Sequence, residues 1–242
     1  MGKAVVLGAS SGIGRAFAER LISEGWSVGT GSRRTELLEE LRKAAPDRVF
    51  TESIDVRESG AEEALLGLIG KLGGMDLLFY APGIGHQNPD LDPEIELSTV
   101  ETNALGFTRI IGAAYRYMAG HGGGHIAAVS SIAGFRGLSP APAYSATKAL
   151  QHNYIEALSQ LSHARDAGVT FTEIRPGFID TALIAGSSYP MTMSLPYASE
   201  RIYRAVMKHR PEAVIDWRWH IVVCLMRLVP GSIWRRLRLP GA

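Results

Sequence analysis

The chain has 242 residues, of which 46% are hydrophobic, enough for one large domain or two small ones with a sizeable buried core. A formal net charge of +1 argues against a protein that binds DNA or RNA by neutralising phosphates, and the apolar content argues against extensive disorder. A single cysteine, Cys224, excludes an intramolecular disulfide and a cysteine-based metal cluster, and it suits the reducing cytoplasm.

The hydrophobic pattern predicts strands and helices that alternate from the N-terminus onwards. The first apolar run is too short for a signal peptide and no later run is long enough to span a membrane, so we expect a cytoplasmic protein. In chain order, strands are predicted at residues 3–7, 26–31, 49–54, 76–80, 126–129 and 169–174. Helices are predicted at residues 13–23, 35–45, 61–72, 97–118 and 143–164.

This alternation predicts an α/β protein with a doubly wound parallel-sheet Rossmann fold. Parallel neighbours need crossover helices, and right-handed crossovers cover both faces of the sheet, which gives three layers, α/β/α. No linker is evident, so residues 1–242 are predicted to form one domain. The periodicity weakens beyond about Tyr189, and residues 217–242 are predicted to be an atypical C-terminal extension.

A glycine-rich turn with the spacing G-x-x-x-G-x-G joins the first predicted strand to the first helix. Glycines allow the backbone to turn tightly and approach a pyrophosphate, and the helix N-terminus offers free N–H groups and the positive end of a dipole. A purely structural turn is the alternative. We predict that the turn binds a dinucleotide through Gly8, Ser10, Ser11, Gly12, Ile13 and Gly14.

The end of the second strand predicts which nicotinamide cofactor is bound. A Rossmann site usually places Asp or Glu there to bind the ribose 2′-hydroxyl, but this chain has Ser32-Arg33-Arg34. Guanidinium groups match a phosphate, and a serine does not repel one. We therefore predict NADP(H) in preference to NAD(H), with a solvated helix start as the alternative for both arginines. Asp55, after the third strand, is predicted either to bind the adenine amino group or to act as a helix cap ahead of residues 56–60.

A candidate catalytic group begins at the fifth predicted strand, which Ser131 follows. Tyr144 and Lys148 stand four residues apart in the next helix and therefore on one face of it. A nearby ammonium favours phenolate, so Lys148 is predicted to lower the pKa of Tyr144 and to suit it for proton transfer. The Ser131 hydroxyl can bond to the substrate oxygen. A surface Tyr–Lys pair is the alternative.

Together these motifs resemble the short-chain dehydrogenase/reductase family in its common single-domain form. The resemblance covers roughly residues 3–181 and rests on five segments in the family's order and spacing: GASSGIG, NALG at 103–106, SSIAG, YSATK and RPGFIDT at 175–181. The chain departs from the family at Leu7, where threonine is usual, and at Ser11, where NADPH-preferring members often carry a basic residue. It also has Tyr80-Ala-Pro-Gly83 in place of the usual Asn-Asn-Ala-Gly.

The resemblance implies a role for each matching residue. Tyr144 would be the general acid/base, Lys148 would bind the nicotinamide ribose, and Ser131 would orient the substrate. Asn103 would kink the long helix and hold a water that extends a proton relay to Lys148. The remaining cofactor contacts implied are Val56, Ala81 and Gly83 beside the adenosine, and Pro176, Gly177, Ile179 and Thr181 beside the nicotinamide.

The rest of the chain bears on substrate and partners. Residues 182–196 carry no charge, which favours an apolar or small neutral carbonyl or alcohol substrate. The helices at 97–118 and 143–164 are apolar on more than one face, and members of the family pair these helices, so a homodimer or homotetramer is expected. Residues 217–242 hold five Arg, three of the four Trp and no acid, so they are predicted to pack on the body, with a partner subunit or a peripheral membrane contact as alternatives.

The sequence therefore predicts an NADP(H)-dependent oxidoreductase that transfers a hydride between the nicotinamide and a carbonyl or alcohol. Two alternatives stay open. One is a non-catalytic nucleotide-sensing protein on the same fold, and the other is a membrane-peripheral reductase of lipid-like ketones.

Overall fold

One seven-stranded parallel sheet forms the centre of the protein in a computed structural model, which describes residues 2–184 and 189–239. The strand order is β3-β2-β1-β4-β5-β6-β7, so the order reverses between β1 and β4. The strands are β1 (Lys3–Leu7), β2 (Ser27–Ser32), β3 (Val49–Ser53), β4 (Leu77–Tyr80), β5 (Gly124–Val129), β6 (Val169–Pro176) and β7 (Glu212–Ile215).

Helices cover both faces of the sheet, which confirms the predicted doubly wound fold. The helices are α1 (Gly12–Ser23), α2 (Thr35–Ala44), α3 (Ala61–Leu72), α4 (Pro93–Val100), α5 (Phe107–Gly120), α6 (Pro142–Ala164), α7 (Leu195–Met207), α8 (Trp217–Leu228) and α9 (Gly231–Trp234). Alternate strand residues point to opposite faces, so Val5 joins the core under α3, α5 and α6, whereas Val6 joins the core under α1, α2 and α7. Burial on both faces explains why the strands read as continuous apolar runs.

The predicted helix at 97–118 differs from the observed one in two ways. The observed helix begins at Pro93, where Asp92 Oδ1 accepts a hydrogen bond from Glu94 N at 2.9 Å. It is also interrupted by a π-helical turn, Glu101–Gly106, which contains Asn103 and joins α4 to α5. Such turns are a known cause of kinks in helices, and the kink that the resemblance implied at Asn103 stays a prediction that this turn supports.

The elements after residue 189 were not predicted. Helix α7 crosses back over the sheet and leads to the four-residue edge strand β7, which pairs with β6. A strand this short, with an exposed first residue, gives little periodicity for a sequence pattern to detect. Within the described residues, no helix is both long enough and apolar enough to cross a membrane.

The inner face of the C-terminal extension packs on the body of the same subunit. Trp219 and Val223 of α8 are buried. The Arg136 guanidinium donates to the carbonyl oxygens of Met226 at 3.3 Å and Val229 at 2.7 Å, at the C-terminal end of α8, where a cation is favoured. The indole of Trp234 donates to Gly137 O at 2.8 Å. These residues of the extension therefore contact the body of the same subunit.

Candidate active site

A cleft lies at the carboxyl ends of the strands, where the strand order reverses between β1 and β4. This is where ligands bind to open α/β sheets. Most of the predicted cofactor residues line it: Gly8, Ser10, Ser11, Gly12, Ile13, Gly14, Ser32, Arg33, Arg34, Asp55, Val56, Ala81, Gly83 and Thr181. Sequence reasoning missed the other residues of its lining, although each stands beside a predicted one or in a neighbouring loop: Leu7, Gly31, Ile54, Arg57, Pro82, Ile84, Thr102 and Ala182.

The glycine-rich turn has the geometry that a pyrophosphate requires. Gly8 and Gly12 adopt φ values of 76° and 56°, a region that side chains disfavour. A Cβ on Gly14 would overlap the carbonyl oxygen of Gly8, so no larger residue fits there. No side chain among the described residues caps the start of α1, and its first N–H groups are therefore available to an anion. The residues present thus fit a dinucleotide.

A guanidinium group lies against this turn. Arg34 Nη2 donates to Ser10 Oγ at 3.1 Å and to Ser11 Oγ at 2.9 Å. Position 11 has a serine where a basic residue is often found, but the Arg34 guanidinium, at the end of β2, places a positive charge beside it. Arg33 lines the same cleft and is exposed, and the Ser32 hydroxyl donates to Arg34 O at 3.1 Å.

Asp55 provides the only carboxylate among the described residues of the cleft lining, and that carboxylate is already paired. It accepts from the Arg57 backbone N–H at 3.1 Å and from Arg57 Nη2 at 2.6 Å. The Arg57 guanidinium holds the pKa of Asp55 below its usual value. The Asp55 side chain therefore caps a turn and not the helix that was predicted as its alternative role, whereas contact with adenine stays a prediction. Because Asp55 is neutralised, the arginines leave this part of the cleft positive.

Ser131 and Tyr144 meet where β5 ends and α6 begins. Ser131 lies close enough to the Tyr144 phenol to lower its pKa, and the Ser131 hydroxyl oxygen accepts from Ala133 N at 3.1 Å. The loop after β4 passes directly over the tyrosine, because a Cβ on Gly85 would lie 2.8 Å from Tyr144 Cε2. The loop that borders the cofactor cleft therefore also contacts the candidate catalytic residues.

The predicted lowering of the Tyr144 pKa is wrong, because the pKa shifts in the opposite direction. Burial raises the pKa of Tyr144 above its usual value, although the contact with Ser131 opposes this. Lys148 Nζ lies 5.6 Å from the Tyr144 ring centroid and donates instead to Val129 O at 3.2 Å. Burial lowers the pKa of Lys148 itself to about 8. Desolvation therefore sets the direction of the Tyr144 pKa shift, and the attraction between ammonium and phenolate on which the prediction relied does not contribute to it.

Asn103 is fully buried and fixes the loop after β4 rather than pointing into the cleft. Its side-chain amide donates to Ile84 O at 2.7 Å and accepts from Ile84 N at 2.9 Å. Its backbone carbonyl accepts from Gln151 Nε2 at 2.8 Å. Sequence reasoning missed Gln151; the available signal was a polar residue three positions after Lys148, on the same buried face of α6.

The residues implied to border the nicotinamide are spread over two environments. Thr181 lines the cleft, whereas the Ile179 side chain is buried in the core beside Met193. Pro176 ends β6, and Gly177 lies under the Trp219 indole, which a Cβ would overlap. The side chains of Pro176, Gly177 and Ile179 therefore do not line the described cleft, and only their backbone is left for contact.

An aromatic stack that the sequence did not indicate follows Gly177. Phe178 stacks on Tyr189 with ring centroids 4.0 Å apart and meets the Trp219 ring edge-on at 5.5 Å. Through Trp219, the C-terminal extension thereby contacts Phe178, just before the uncharged segment of residues 182–196. Residues 185–188 of that segment lie outside the described residues.

The sequence and the fold are similar to those of known oxidoreductases. A family model described as short chain dehydrogenase matches residues 3–190. An uncharacterized oxidoreductase of Myxococcus xanthus is 32% identical, over 97% of each chain. A short chain dehydrogenase of Burkholderia cenocepacia, solved in complex with NADP, has a TM-score of 0.85 at 23% identity, over 99% of this chain and 98% of that one.

A second solved structure carries the other nicotinamide cofactor. It is 3-ketoacyl-(acyl-carrier-protein) reductase from Brucella melitensis, complexed with NADH, with a TM-score of 0.79 at 22% identity, over 89% of this chain and 96% of that one. Because the same fold accompanies both cofactors, a preference in this chain has to come from its own residues around the cleft.

Proposed function

The chain belongs to the short-chain dehydrogenase family, and we propose that it transfers a hydride between NADP(H) and a carbonyl or alcohol group, with Tyr144 as general acid/base. The observation that most supports this proposal is the proximity of Ser131, Tyr144 and Lys148 beside a cleft that fits a dinucleotide. A non-catalytic nucleotide sensor would need the cleft alone and gives no reason for this side-chain group.

The protein groups divide the proton chemistry between them. The Ser131 hydroxyl would hold the substrate oxygen, and the Tyr144 phenol would donate its proton to that oxygen during reduction. Burial keeps the phenol protonated at neutral pH, and this acid form is the one that carbonyl reduction consumes. Lys148 would hold the nicotinamide ribose, and the bound cofactor would supply the hydride.

The arginines at the end of β2 support NADP(H) over NAD(H). Arg33 stands in the cleft lining, and Arg34 lies against the serines of the glycine turn, so two guanidinium groups are available for a 2′-phosphate. Ser32 introduces no opposing charge. We assign the 2′-phosphate to this corner of the cleft.

The surroundings of the substrate support an uncharged molecule. Tyr189 belongs to residues 182–196, a segment that has no charged side chain, and it stacks on Phe178, which comes just before that segment. Purified protein should therefore oxidise NADPH with uncharged ketones or aldehydes and should prefer them to keto acids. A panel of carbonyls and alcohols with both cofactors, followed by nicotinamide absorbance, tests this, and activity confined to carboxylate-bearing substrates would contradict it.

We also propose a homodimer or homotetramer built on the outer faces of α4 to α6. Large apolar side chains there are exposed in the single chain: Leu97 by 62%, Val100 by 43%, Leu105 by 52% and Leu150 by 40%. A two-fold axis would bury one patch against its copy. Light scattering at micromolar concentration should give a mass of at least two subunits, and a monomeric mass would contradict the proposal.

A second candidate, a membrane-peripheral reductase, is supported by the outer face of α8. Trp217, Ile221, Leu225 and Leu228 follow helical spacing and are exposed by 68%, 49%, 58% and 78%. Exposed Arg235, Arg236 and Arg238 follow, and residues 217–242 contain no acid. Tryptophan and arginine beside an apolar face suit an anionic bilayer surface, where each cation contributes about 1 kcal/mol.

Point variants test this candidate without disturbing the packed inner face of α8. The wild-type protein should float with vesicles of anionic lipid at low salt, and Leu225→Glu/Leu228→Glu should not. Leu66→Glu, at a 41% exposed leucine of α3, is the matched control and should float like the wild type. A wild-type protein that stays with the soluble fraction at low salt would exclude the membrane-peripheral candidate.

A further inference from the structure

A buried glutamine connects two parts of the candidate active site. Gln151 has no exposed surface, and both ends of its amide are bonded. Its Oε1 accepts from Lys148 Nζ at 3.0 Å, and its Nε2 donates to the backbone carbonyl of Asn103 at 2.8 Å. Burying an amide is costly unless its polar atoms are paired, and this amide pairs each end with a group of the site.

We propose that Gln151 is a positioning residue, which anchors the Lys148 ammonium and holds the backbone carbonyl of Asn103. The inference rests on the proposed function, because it concerns the lysine that would serve Tyr144. The side-chain oxygen of Gln151 can only accept a hydrogen bond and its side-chain nitrogen can only donate one, so the amide cannot pass a proton from one end to the other.

The count of donors on Lys148 supports an anchoring role. An ammonium has three N–H donors, and the contacts with Val129 O and Gln151 Oε1 use two of them. One donor remains for a ligand in the cleft. The backbone of Gly83 passes close by, since a Cβ there would lie 3.6 Å from Lys148 Nζ. Two fixed contacts thus direct the remaining N–H, and loss of one would leave the ammonium free to turn away.

The network also reaches the loop over Tyr144. Gln151 binds the carbonyl of Asn103, and the Asn103 side chain holds both backbone polar groups of Ile84. Ile84 is next to Gly85, which lies against the tyrosine ring. Gln151 therefore links α6, the π-helical turn and the loop after β4, and its replacement should affect turnover more than substrate binding.

Two substitutions separate positioning from packing. Gln151→Leu keeps the volume and removes both hydrogen bonds, whereas Gln151→Ala leaves room for water to bridge Lys148 and Asn103. If Gln151 acts by positioning, Gln151→Leu should lower kcat by roughly 10- to 100-fold, as expected for a lost contact to a charged group, and Gln151→Ala should lower it by less. If Gln151 only fills space, the order reverses, because the smaller residue leaves a cavity.

The readouts are kcat and KM for a carbonyl substrate, with thermal unfolding measured in parallel. Gln160→Leu and Gln160→Ala, at an exposed glutamine of the same helix, are the matched controls and should keep wild-type kcat. Should Gln151→Leu fail to fold, Gln151→Glu takes its place, because a carboxylate still accepts from Lys148; its kcat should stay within about tenfold of wild type.

The two proposals fail in different ways. If the wild-type protein reduces no carbonyl, the proposed function is wrong. If the wild type is active and Gln151→Leu matches it, or if Gln151→Ala is the slower of the two, the positioning role of Gln151 is wrong and the proposed function stands. Loss of activity in Gln151→Glu as large as in Tyr144→Phe would also overturn the positioning role.

Discussion

Tyr144→Phe is expected to reduce turnover by roughly 10²–10⁴-fold, because it removes the general acid while keeping the ring. The ring still packs against the loop at Gly85, so stability and NADPH affinity should change little. The measurement is kcat for a slow carbonyl substrate, chosen so that chemistry limits the rate, together with thermal unfolding and NADPH binding.

Tyr154→Phe is the matched control for this experiment. Tyr154 lies on the same helix, where its ring packs against Phe107, in the core rather than in the cleft. Removal of its hydroxyl should leave kcat near the wild-type value. Wild-type turnover in Tyr144→Phe, with chemistry still rate-limiting, would show that another group donates the proton.

Arg33→Ala is expected to weaken NADPH binding by roughly tenfold to 150-fold, the effect of one charge-assisted contact, and to leave NADH binding almost unchanged. Only NADPH carries the 2′-phosphate that the Arg33 guanidinium would meet. Arg34→Ala should act in the same direction but also weaken NADH binding, because it releases the contacts to Ser10 and Ser11 in the turn. Titration of each variant with both cofactors measures the two ratios.

Arg20→Ala controls for the general loss of positive charge. Arg20 lies on α1 with its side chain 45% exposed and paired with Glu24. It is not among the residues that line the cleft, so neither cofactor should bind less tightly. An Arg33→Ala variant that loses NADPH and NADH affinity by the same factor would show that Arg33 supports the fold of the cleft and does not bind the 2′-phosphate.

The sheet and the glycine turn could be predicted because local sequence determines them. Strands buried on both faces are apolar throughout, and Gly8 and Gly14 stand where a side chain would be strained or would overlap the backbone. The start of α4 could also have been found, because Asp92-Pro93 is a helix-start signal that the apolar pattern alone did not use. The edge strand β7 was too short to be detected by its pattern.

The properties missed in the candidate site depend on contacts between distant segments. Spacing on a helix predicts that Lys148 and Tyr144 are neighbours, but not that Val129 and Gln151 hold the ammonium. The direction of the Tyr144 pKa shift follows from burial, which only the assembled site determines.

The C-terminal extension shows the same limit. Its composition indicated that its Trp and Leu residues must be buried, but the composition could not predict the surface against which they pack. Arg136, roughly ninety residues earlier, binds the end of α8, and Trp219 packs over Gly177. Contacts of this kind link the extension to the loop after Ser131 and to the end of β6, and no local pattern predicts them.

The most direct test of the proposed activity follows the hydride itself. Wild-type protein would be incubated with an uncharged ketone and with NADPH that carries deuterium at both hydrogen positions of the nicotinamide C4. The product would be analysed by mass spectrometry. We expect one deuterium on the carbon of the former carbonyl, formed far more slowly by Tyr144→Phe. Tight NADPH binding with no labelled alcohol from any ketone or aldehyde of the panel would contradict the account and favour a nucleotide-sensing protein.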